Sequence, residues 1–420
     1  MKRLSNLIKT GWFLSLAQIK RSNIWTTFLI IFIMTLTFLN LSFVSGVLLG
    51  LVEGSADAFQ RQYSGDVLIK NLENKNFIKN NEGIIKYLNN LNEVEASSSR
   101  FISSNLIEAN YRTNTSPYDK PDSIYTQVVG INPTNEALVT NLDQRLIEGE
   151  YLEKNDVGYV LMGSELLAKY RRVNEPGLGA LDDVQIGDKI RIKFDKRSFE
   201  YELLGVLKSK NQNVSQRVFM LDSELRKILN RTDYGANEIA VKLNNENFAR
   251  PLVKELKNSQ FKDSAEFQTY LDAQGTFFED IKATFTILSS VIGAIGLMVA
   301  AITVFIVIFI NAVSRRRFIG ILKGIGIDNT AIEIAYIIQA LFYSLIGTGI
   351  GLFLLLNFIV PFIDKNPIDF PFSDGIVYIT AAGLVSKALI LFLATLASGY
   401  LPIRLITREN TLNAILNRSS

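Results

Sequence analysis

The sequence of 420 residues contains neither cysteine nor histidine. Disulfide bridges, thiolate metal sites, histidine-ligated zinc, serine–histidine triads and imidazole bases are therefore excluded. The phosphate-binding motif G-x-x-x-x-G-K-[ST] is also absent, so the chain is not expected to hydrolyse ATP by itself. The acidic residues do not form the D-x-[DN]-x-[DN]-G pattern of a calcium loop. These absences argue against an enzyme, and we expect no metal and no cofactor in this chain.

Long apolar stretches are the most prominent feature that is present. Hydrophobic residues make up 48% of the chain and charged residues only 20%. A bilayer core of about 30 Å requires about 20 mostly apolar residues in a helix. The segments that satisfy this requirement are 24–51, 281–313, 332–363 and 376–401. The first is too long for a signal-peptide core and runs into an acidic segment, so it is expected to stay in the mature protein. The sequence thus predicts four transmembrane helices.

The polar segment between the first two apolar stretches, residues 52–280, is long enough to fold around its own core. The pattern of residues 125–133 predicts a strand ended by a turn, and that of residues 237–259 predicts a strand followed by a helix. Residues 185–207 contain alternating apolar residues and predict a hairpin. Residues 53–63 and 264–285 are expected to extend the neighbouring membrane helices as a helical stalk. The predicted fold class is therefore membrane α-helical, with four transmembrane helices, plus an extracytoplasmic α+β domain inserted between helices 1 and 2.

The distribution of charge predicts the orientation in the membrane. The first 23 residues carry five basic and no acidic residues, in an amphipathic pattern typical of a helix at the membrane surface. The loop 314–331 and the tail 402–420 are also basic, whereas the short loop 364–375 is acidic. We therefore expect a multi-pass protein of the cell (inner) membrane with both termini cytoplasmic. The formal net charge of +3 reflects this basic inner face, so no nucleic-acid partner is expected.

Small and charged residues within the apolar stretches are candidates for helix contacts. Gly347 and Gly351 form a G-x-x-x-G face in the third stretch, and Gly293 and Gly296 form a similar pair in the second, so we predict helix packing there. Lys387 lies within the fourth stretch, where an ammonium group is costly. It is interpreted as a polar element at a helix interface, although a shifted helix boundary would place it nearer the membrane surface.

The loop after the second stretch combines a basic cluster with glycines and isoleucines in "SRRRFIGILKGIGIDNTAI", residues 314–332. Ile319, Leu322 and Ile325 fall on one side of a short amphipathic helix, which makes the segment more apolar than a solvated loop requires. The alternative interpretation is that the basic residues only mark the cytoplasmic side of the membrane and that the helix only lies at the membrane surface. That alternative explains the arginines but not the glycines and isoleucines together.

This loop resembles the segment between the second and third spans of FtsX/MacB-like ABC transporter permeases. The tail "GYLPIRLITRENTLNAIL", residues 399–416, is similar to the end of that family. The motifs "VVGINP", "IGDKIRI" and "YELLGVLKS" follow the order of its MacB-like periplasmic core domain. The resemblance covers almost the whole chain, and its specificity comes from the combination of individually weak motifs.

The resemblance implies a permease subunit without a fused ATPase. In the family, permease subunits pair with each other and with a separate or fused ATPase dimer that binds ATP and Mg, and the loop acts as a coupling helix. The two permease subunits would form a homodimer or a heterodimer surrounded by membrane lipids. A periplasmic adaptor or carrier is left open as a further partner. The residues expected to couple to the ATPase are Arg315, Arg316, Arg317, Phe318, Ile319, Gly320, Leu322, Lys323, Gly324, Ile325 and Gly326.

The expected function is mechanotransmission. ATP hydrolysis in the partner would move the extracytoplasmic domain, for lipoprotein release or for efflux of a hydrophobic compound. The alternative is a membrane-anchored extracytoplasmic sensor or scaffold protein without an ATPase partner.

Overall fold

The computed structural model describes residues 2–111, 122–171, 179–195, 197–366, 370, 373 and 377–407. As far as these residues extend, the chain forms two compact units. The membrane unit comprises Met1–Val52, Ile281–Ile368 and Gly375–Ser420, and the inserted unit comprises Glu53–Asp280 and Asp369–Asp374. The short closing helix expected near the C-terminus, in residues 408–416, lies outside the described residues.

The elements are numbered in chain order. The helices are α1 (Lys2–Lys20), α2 (Ile24–Phe59), α3 (Asn81–Leu88), α4 (Pro133–Thr140), α5 (Gln212–Ser215), α6 (Asp222–Ile228), α7 (Ala249–Asn258), α8 (Tyr270–Ala273), α9 (Gly275–Ser314), α10 (Arg316–Gly324), α11 (Asn329–Leu354), α12 (Val360–Lys365) and α13 (Ala381–Thr407). The strands are β1 (Val67–Lys70), β2 (Val94–Ala109), β3 (Asp122–Ile131), β4 (Leu146–Gly149), β5 (Tyr159–Gly163), β6 (Lys189–Phe194), β7 (Arg197–Leu207), β8 (Arg217–Leu221), β9 (Glu238–Leu243) and β10 (Glu266–Thr269).

Among the described residues, four helical segments are long and apolar enough to cross a membrane. They are Ile24–Ser64, Phe278–Ser314, Asn329–Lys365 and Ala381–Thr407. Their shared core is built from Met34 and Phe38 of α2, Val304 of α9, Tyr336 of α11 and Leu391 of α13, all of which are buried. The predicted fold class, four membrane helices with an α+β domain between the first and the second, is confirmed.

Two bounds of the last membrane helix differ from the predicted segment 376–401. The helix begins at Ala381, because the Thr380 hydroxyl accepts a hydrogen bond from the Gly383 backbone N–H at 3.1 Å, as a helix cap does. It continues through Pro402 to Thr407, although proline lacks the N–H that an interior helix position uses. Pro402 is buried, and Ile403 and Ile406 beside it belong to the core. Packing therefore outweighs the missing hydrogen bond.

Helix α1 is amphipathic, as its sequence indicates, and it packs against α11. Gly11 of α1 lies so close to α11 that an added Cβ would approach Ile334 Cγ2 at 2.6 Å. Ile8, Trp12 and Leu16 are spaced along the helix on an exposed face. A helix with this division of surfaces is suited to the membrane interface.

The inserted unit contains a sheet with the strand order β10-β1-β9-β2-β3-β8-β5-β7-β4, and β6 pairs with both β2 and β7. The β3–β8 and β5–β7 pairs are parallel, and the other described pairs are antiparallel. The predicted hairpin is confirmed as β6 and β7, which pair from Lys189↔Glu202 to Phe194↔Arg197. The predicted strand-to-helix segment is confirmed as β9 and α7.

Alternating residues of the strands fill separate cores on the two faces of the sheet. Val67 and Ile69 face helices α3 and α7, whereas Leu68 between them packs with Val129 and Leu161 on the other face. A third cluster contains Phe101, Val128 and Ile190 with α6. The inserted unit is thus large enough to fold around its own interior.

The two predicted helical extensions have different outcomes. Helix α2 does continue to Phe59, and a π-helical turn, Gln60–Ser64, ends at Gly65, whose φ is 63°. The prediction that residues 264–285 extend the second membrane helix is wrong at the start of this segment, because residues 266–269 pair with β1 as strand β10. The helix α9 begins only at Gly275, whose φ is +76°. The apolar spacing of this segment satisfies both a strand and a helix, and pairing with β1 decides for the strand.

Candidate functional site

The basic loop between the second and third membrane helices contains a well-defined short helix, α10. Its C-terminal end is closed by the Ile327 N–H, which donates to the Leu322 carbonyl at 3.0 Å, and by Gly326 in the left-handed region at φ +92°. This arrangement is a common way to satisfy the last carbonyl groups of a helix. The Asp328 side chain then accepts a hydrogen bond from the Thr330 N–H at 3.0 Å and starts α11. Gly326 and Asp328 thus end α10, make a tight turn and start α11.

Two of the three residues in the predicted apolar stripe of α10 are buried. Ile319 and Leu322 are only 2% and 8% exposed and belong to the core of the membrane unit, and Gly320 is buried beside them. These residues therefore hold α10 in place and are not accessible to a partner. Ile325, by contrast, is 72% exposed.

A second apolar stripe lies on the exposed side of the helix. Phe318 is 47% exposed and Ile321 is 46% exposed, and together with Ile325 they follow a spacing of three and four residues that places them on one face. We call these residues the exposed face of α10. Arg317 and Gly324 are also exposed there. Ile321 was not among the predicted coupling residues, although the i, i+3, i+7 spacing of this stripe is visible in the sequence.

The charged residues of the loop attach α10 to its neighbours. The Arg315 guanidinium donates to the Arg21 carbonyl at 3.2 Å, between α1 and α2. The Lys323 ammonium donates to the carbonyl of Thr407, the last residue of α13, at 2.9 Å. A cation at the negative end of a helix is favourable. Lys323 thus connects α10 to the last membrane helix, whereas Arg316 occupies the first position of α10 and Arg317 is exposed to solvent.

The candidate packing glycines lie at close helix contacts. A Cβ on Gly347 would lie 2.4 Å from Met34 Cβ, and one on Gly351 would lie 2.8 Å from Phe38 Cδ1. The Gly347 carbonyl also accepts a hydrogen bond from the Thr35 hydroxyl at 3.1 Å. On α9, a Cβ on Gly293 would lie 3.1 Å from Leu41 Cδ2, and one on Gly296 would lie 2.8 Å from Asn40 Oδ1. Both glycine pairs therefore bring their helices close to α2.

Lys387 of α13 is half-buried, and its ammonium group donates to the Ser45 hydroxyl of α2 at 2.6 Å. A hydroxyl partner satisfies one of its donors without an opposite charge. Lys387 thus makes a polar contact between two membrane helices.

We expect Gly347→Ala to destabilise the membrane unit by about 1–3 kcal/mol, because the new methyl group overlaps Met34 and the backbone of α2. Gly349→Ala on the same helix is the matched control, because among the described residues no atom outside its own helix backbone lies within 4 Å of its Cβ position. That change is expected to be neutral or to stabilise the helix by up to about 1 kcal/mol. Thermal unfolding of the full chain in one detergent measures both variants. Equal effects of the two substitutions would show that Gly347 has no packing role.

The fold and the loop together define a multi-pass membrane protein with a large inserted α/β domain and a short helix exposed between two spans. Residues 290–411 match the family model described as "FtsX-like permease C-terminal". The predicted resemblance to FtsX-like permeases is thus confirmed over residues 290–411.

The curated relatives are ABC transporter permeases. The "ABC transporter permease YtrF" of Bacillus subtilis is 23% identical over 251 residues, which are 56% of this chain and 55% of that protein. The "Uncharacterized ABC transporter permease MJ1507" of Methanocaldococcus jannaschii is 26% identical over 176 residues, 41% of this chain and 43% of that protein. The chain thus spans about half the length of the curated relatives that it matches.

Two solved structures have folds similar to part of this chain. The periplasmic region of MacB from Actinobacillus actinomycetemcomitans is 16% identical with a TM-score of 0.35, over 51% of this chain and 93% of that one. The extracellular domain of the "noncanonic ABC-type transporter YknZ" from Gram-positive bacteria is 12% identical with a TM-score of 0.31, over 48% of this chain and 100% of that one.

Proposed function

We propose that this protein is the permease subunit of an ABC transporter of the FtsX/MacB mechanotransmission type and that the exposed face of α10 binds the partner ATPase. The observation that supports the proposal is the apolar stripe of Phe318, Ile321 and Ile325 on a helix that is otherwise fixed to the membrane unit. A soluble loop has no need for three exposed apolar side chains in one row. The match of the family model to the same residues supports the assignment independently.

The contacts of α10 suggest how a displacement of this helix is transmitted to the membrane helices. ATP and Mg bound by the partner ATPase supply the energy, and this chain supplies the coupling. Ile319 and Leu322 anchor α10 in the core, while Lys323 and Arg315 connect it to the end of α13 and to the turn between α1 and α2. A displacement of α10 therefore acts on several membrane helices at once, and the inserted unit responds by a change of shape.

The proposed location is the cell (inner) membrane with both termini cytoplasmic and the inserted unit extracytoplasmic. Lys9, Lys20 and Arg21 before the first membrane helix, and Arg315 to Arg317 after the second, support this orientation because basic residues concentrate on the cytoplasmic side. The exposed face of α10 is then available to a cytoplasmic ATPase.

The proposed task is the release of lipoproteins or the export of a hydrophobic compound, and both fit a permease that moves an external domain. A second permease subunit, identical or different, completes the pair. A periplasmic adaptor or carrier is a further partner where an outer membrane exists.

Co-purification tests the proposal. We expect the chain, expressed together with its genomic neighbours, to bring down an ABC ATPase. Gly326→Val should weaken this association, since valine is strained at the φ of +92° that closes α10. Gly187→Val is the matched control, because Gly187 of the inserted unit has a similar φ of +89° and an open Cβ position. Recovery of the chain without any ATPase would contradict the proposal and favour a sensor or scaffold.

A further inference from the structure

Five buried polar side chains meet where the helix of the first membrane span ends inside the inserted unit. Tyr63 lies in the π-helical turn Gln60–Ser64, Arg100 on β2, Glu136 on α4, Arg217 on β8 and Glu238 on β9, and all five side chains are buried. We call them the Tyr63 cluster. The cluster joins five different elements, so its members are fixed relative to one another only when the inserted unit is folded.

The contacts within the Tyr63 cluster are direct. Arg100 donates to Glu136 through NH2 at 2.6 Å and through Nε at 3.1 Å, and its NH1 lies 3.4 Å from Glu238. The Tyr63 hydroxyl donates to the other oxygen of Glu238 at 2.6 Å. Arg217 NH1 approaches the Tyr63 hydroxyl at 3.5 Å. The two guanidinium groups balance the two carboxylates, as a buried charge cluster requires.

Tyr63 is held by its backbone and its ring as well as by its hydroxyl. Arg100 NH2 donates to the Tyr63 carbonyl at 2.5 Å. The Tyr63 ring centroid lies 4.7 Å from the Arg100 guanidinium carbon and 5.3 Å from that of Arg217. Contacts of this kind between a guanidinium and an aromatic face are attractive.

The electrostatic balance of the cluster favours the charged form of Glu136. Burial by itself would raise the pKa of this carboxyl group. The charge of Arg100 and the hydrogen bonds from Arg100, Ser98 and Thr140 outweigh burial and lower the pKa below its ordinary value. Glu136 therefore remains an anion that binds Arg100 at neutral pH.

The other residues of the same turn are fastened to the inserted unit as well. The Gln62 side-chain oxygen accepts hydrogen bonds from the Ser209 hydroxyl at 2.7 Å and from the Lys210 N–H at 3.0 Å. Gln60 donates to Asp66 at 2.6 Å, and Asp66 in turn accepts from the Leu243 N–H at 2.7 Å. The turn is therefore bound to β9 and to the segment after β7 in addition to the cluster.

The point where the chain leaves the inserted unit is built differently. A capping box of Thr269 and Asp272 begins the short helix α8, and Gly275 then starts α9 with a φ of +76°. Among the described residues, no atom beyond the chain neighbours of Gly275 lies within 4 Å of the position that its Cβ would occupy. Glycine at a positive φ without neighbours offers little resistance to a change of backbone direction.

We propose that the Tyr63 cluster is a rigid joint that makes the end of helix α2 and the sheet of the inserted unit move as one body, whereas Gly275 is a swivel at the exit. The role of this pair of connections in transport rests on the proposed function, but the joint itself is a property of this chain.

Hydrogen exchange of the full chain in lipid nanodiscs tests the joint without any ATPase. We expect Tyr63→Phe, which removes only the hydroxyl, to speed exchange of the amides of residues 60–66 at least tenfold and to leave β5 unchanged. Arg61→Ala is the matched control in the same turn, since Arg61 is exposed and forms an ion pair with exposed Asp57. Unchanged exchange in Tyr63→Phe, or an equal increase in β5, would overturn the proposal.

A distance measurement tests the swivel with folded protein. Because the chain has no cysteine, spin labels can be placed on Arg61, Lys254 and Glu279, which are all exposed residues of the inserted unit. The Arg61–Lys254 distance distribution should be at least twofold narrower than the Glu279–Lys254 distribution, which spans Gly275. Equal widths would overturn the assigned difference between entry and exit. Neither result bears on ATPase binding, so failure of the joint and failure of the proposed function are distinguishable.

Discussion

Replacement of Arg100 by methionine is expected to destabilise the inserted unit by about 3–5 kcal/mol, because it leaves Glu136 buried without its cation and removes one of the two cations beside Glu238. The side chains of Arg100 and Glu136 are 2% and 1% exposed, so water cannot replace the lost partner. Hydrogen exchange of the β9 amides in the full chain measures the change. Tryptophan fluorescence would not report on it, because both tryptophans, Trp12 and Trp25, lie outside the inserted unit. Exchange through unfolding should accelerate by roughly two to four orders of magnitude.

Lys242→Met is the matched control on the same strand as Glu238. The side chains of Lys242 and its partner Glu95 are 33% and 44% exposed and lie 3.2 Å apart. Solvent screens such a pair, so its loss should cost less than about 1 kcal/mol. A similar small effect for Arg100→Met would show that the buried cluster does not hold the unit together.

The second large effect is expected at the exposed face of α10. The double change Ile321→Ser and Ile325→Ser should weaken binding of the partner ATPase at least tenfold, since burying an isoleucine contributes about 1.5–3 kcal/mol and about 1.4 kcal/mol is one order of magnitude. The fold should be retained because both side chains are exposed. Titration of the purified ATPase onto the chain in nanodiscs measures the affinity.

Phe362→Ser provides the control for this change. Phe362 is 68% exposed on α12 of the same membrane unit but lies far from α10 in the sequence. The proposal predicts that Phe362→Ser leaves ATPase affinity unaltered. An equal loss in both proteins would point to a general effect on the membrane unit.

The architecture could be predicted from the sequence because it depends on whether long segments are mostly apolar or mostly polar. Lipid requires long apolar helices, and the segment 52–280 is too polar to be one of them. The strands β6 and β7 were also predictable, because alternating apolar residues have the period of a strand with one buried face. Helix bounds were less accurate, as at Pro402, where burial in the core keeps α13 intact.

The exposed face of α10 could be predicted only in part. The sequence contains two apolar stripes, one through Ile319 and Leu322 and one through Phe318, Ile321 and Ile325. Only packing against α11, α13 and their neighbours shows which stripe is used inside the protein. The helix that carries the candidate site could thus be predicted from the sequence, but its accessible residues required the structure.

The Tyr63 cluster could not be predicted from the sequence. Its hydrogen bonds join residues separated by 36, 138 and 175 positions. No local pattern distinguishes Arg100 or Glu238 from the many exposed charges of the inserted unit, because burial is decided by the way the sheet assembles.

Cross-linking from a single introduced cysteine tests the central claim most directly. The chain has no cysteine of its own, so Ile325→Cys provides one reactive position on the exposed face of α10. The proposal predicts that a short thiol cross-linker joins Ile325→Cys to the co-expressed ABC ATPase and that Phe362→Cys gives no such product. Absence of a product from Ile325→Cys while the ATPase co-purifies, or equal products from both positions, would contradict ATPase docking on α10.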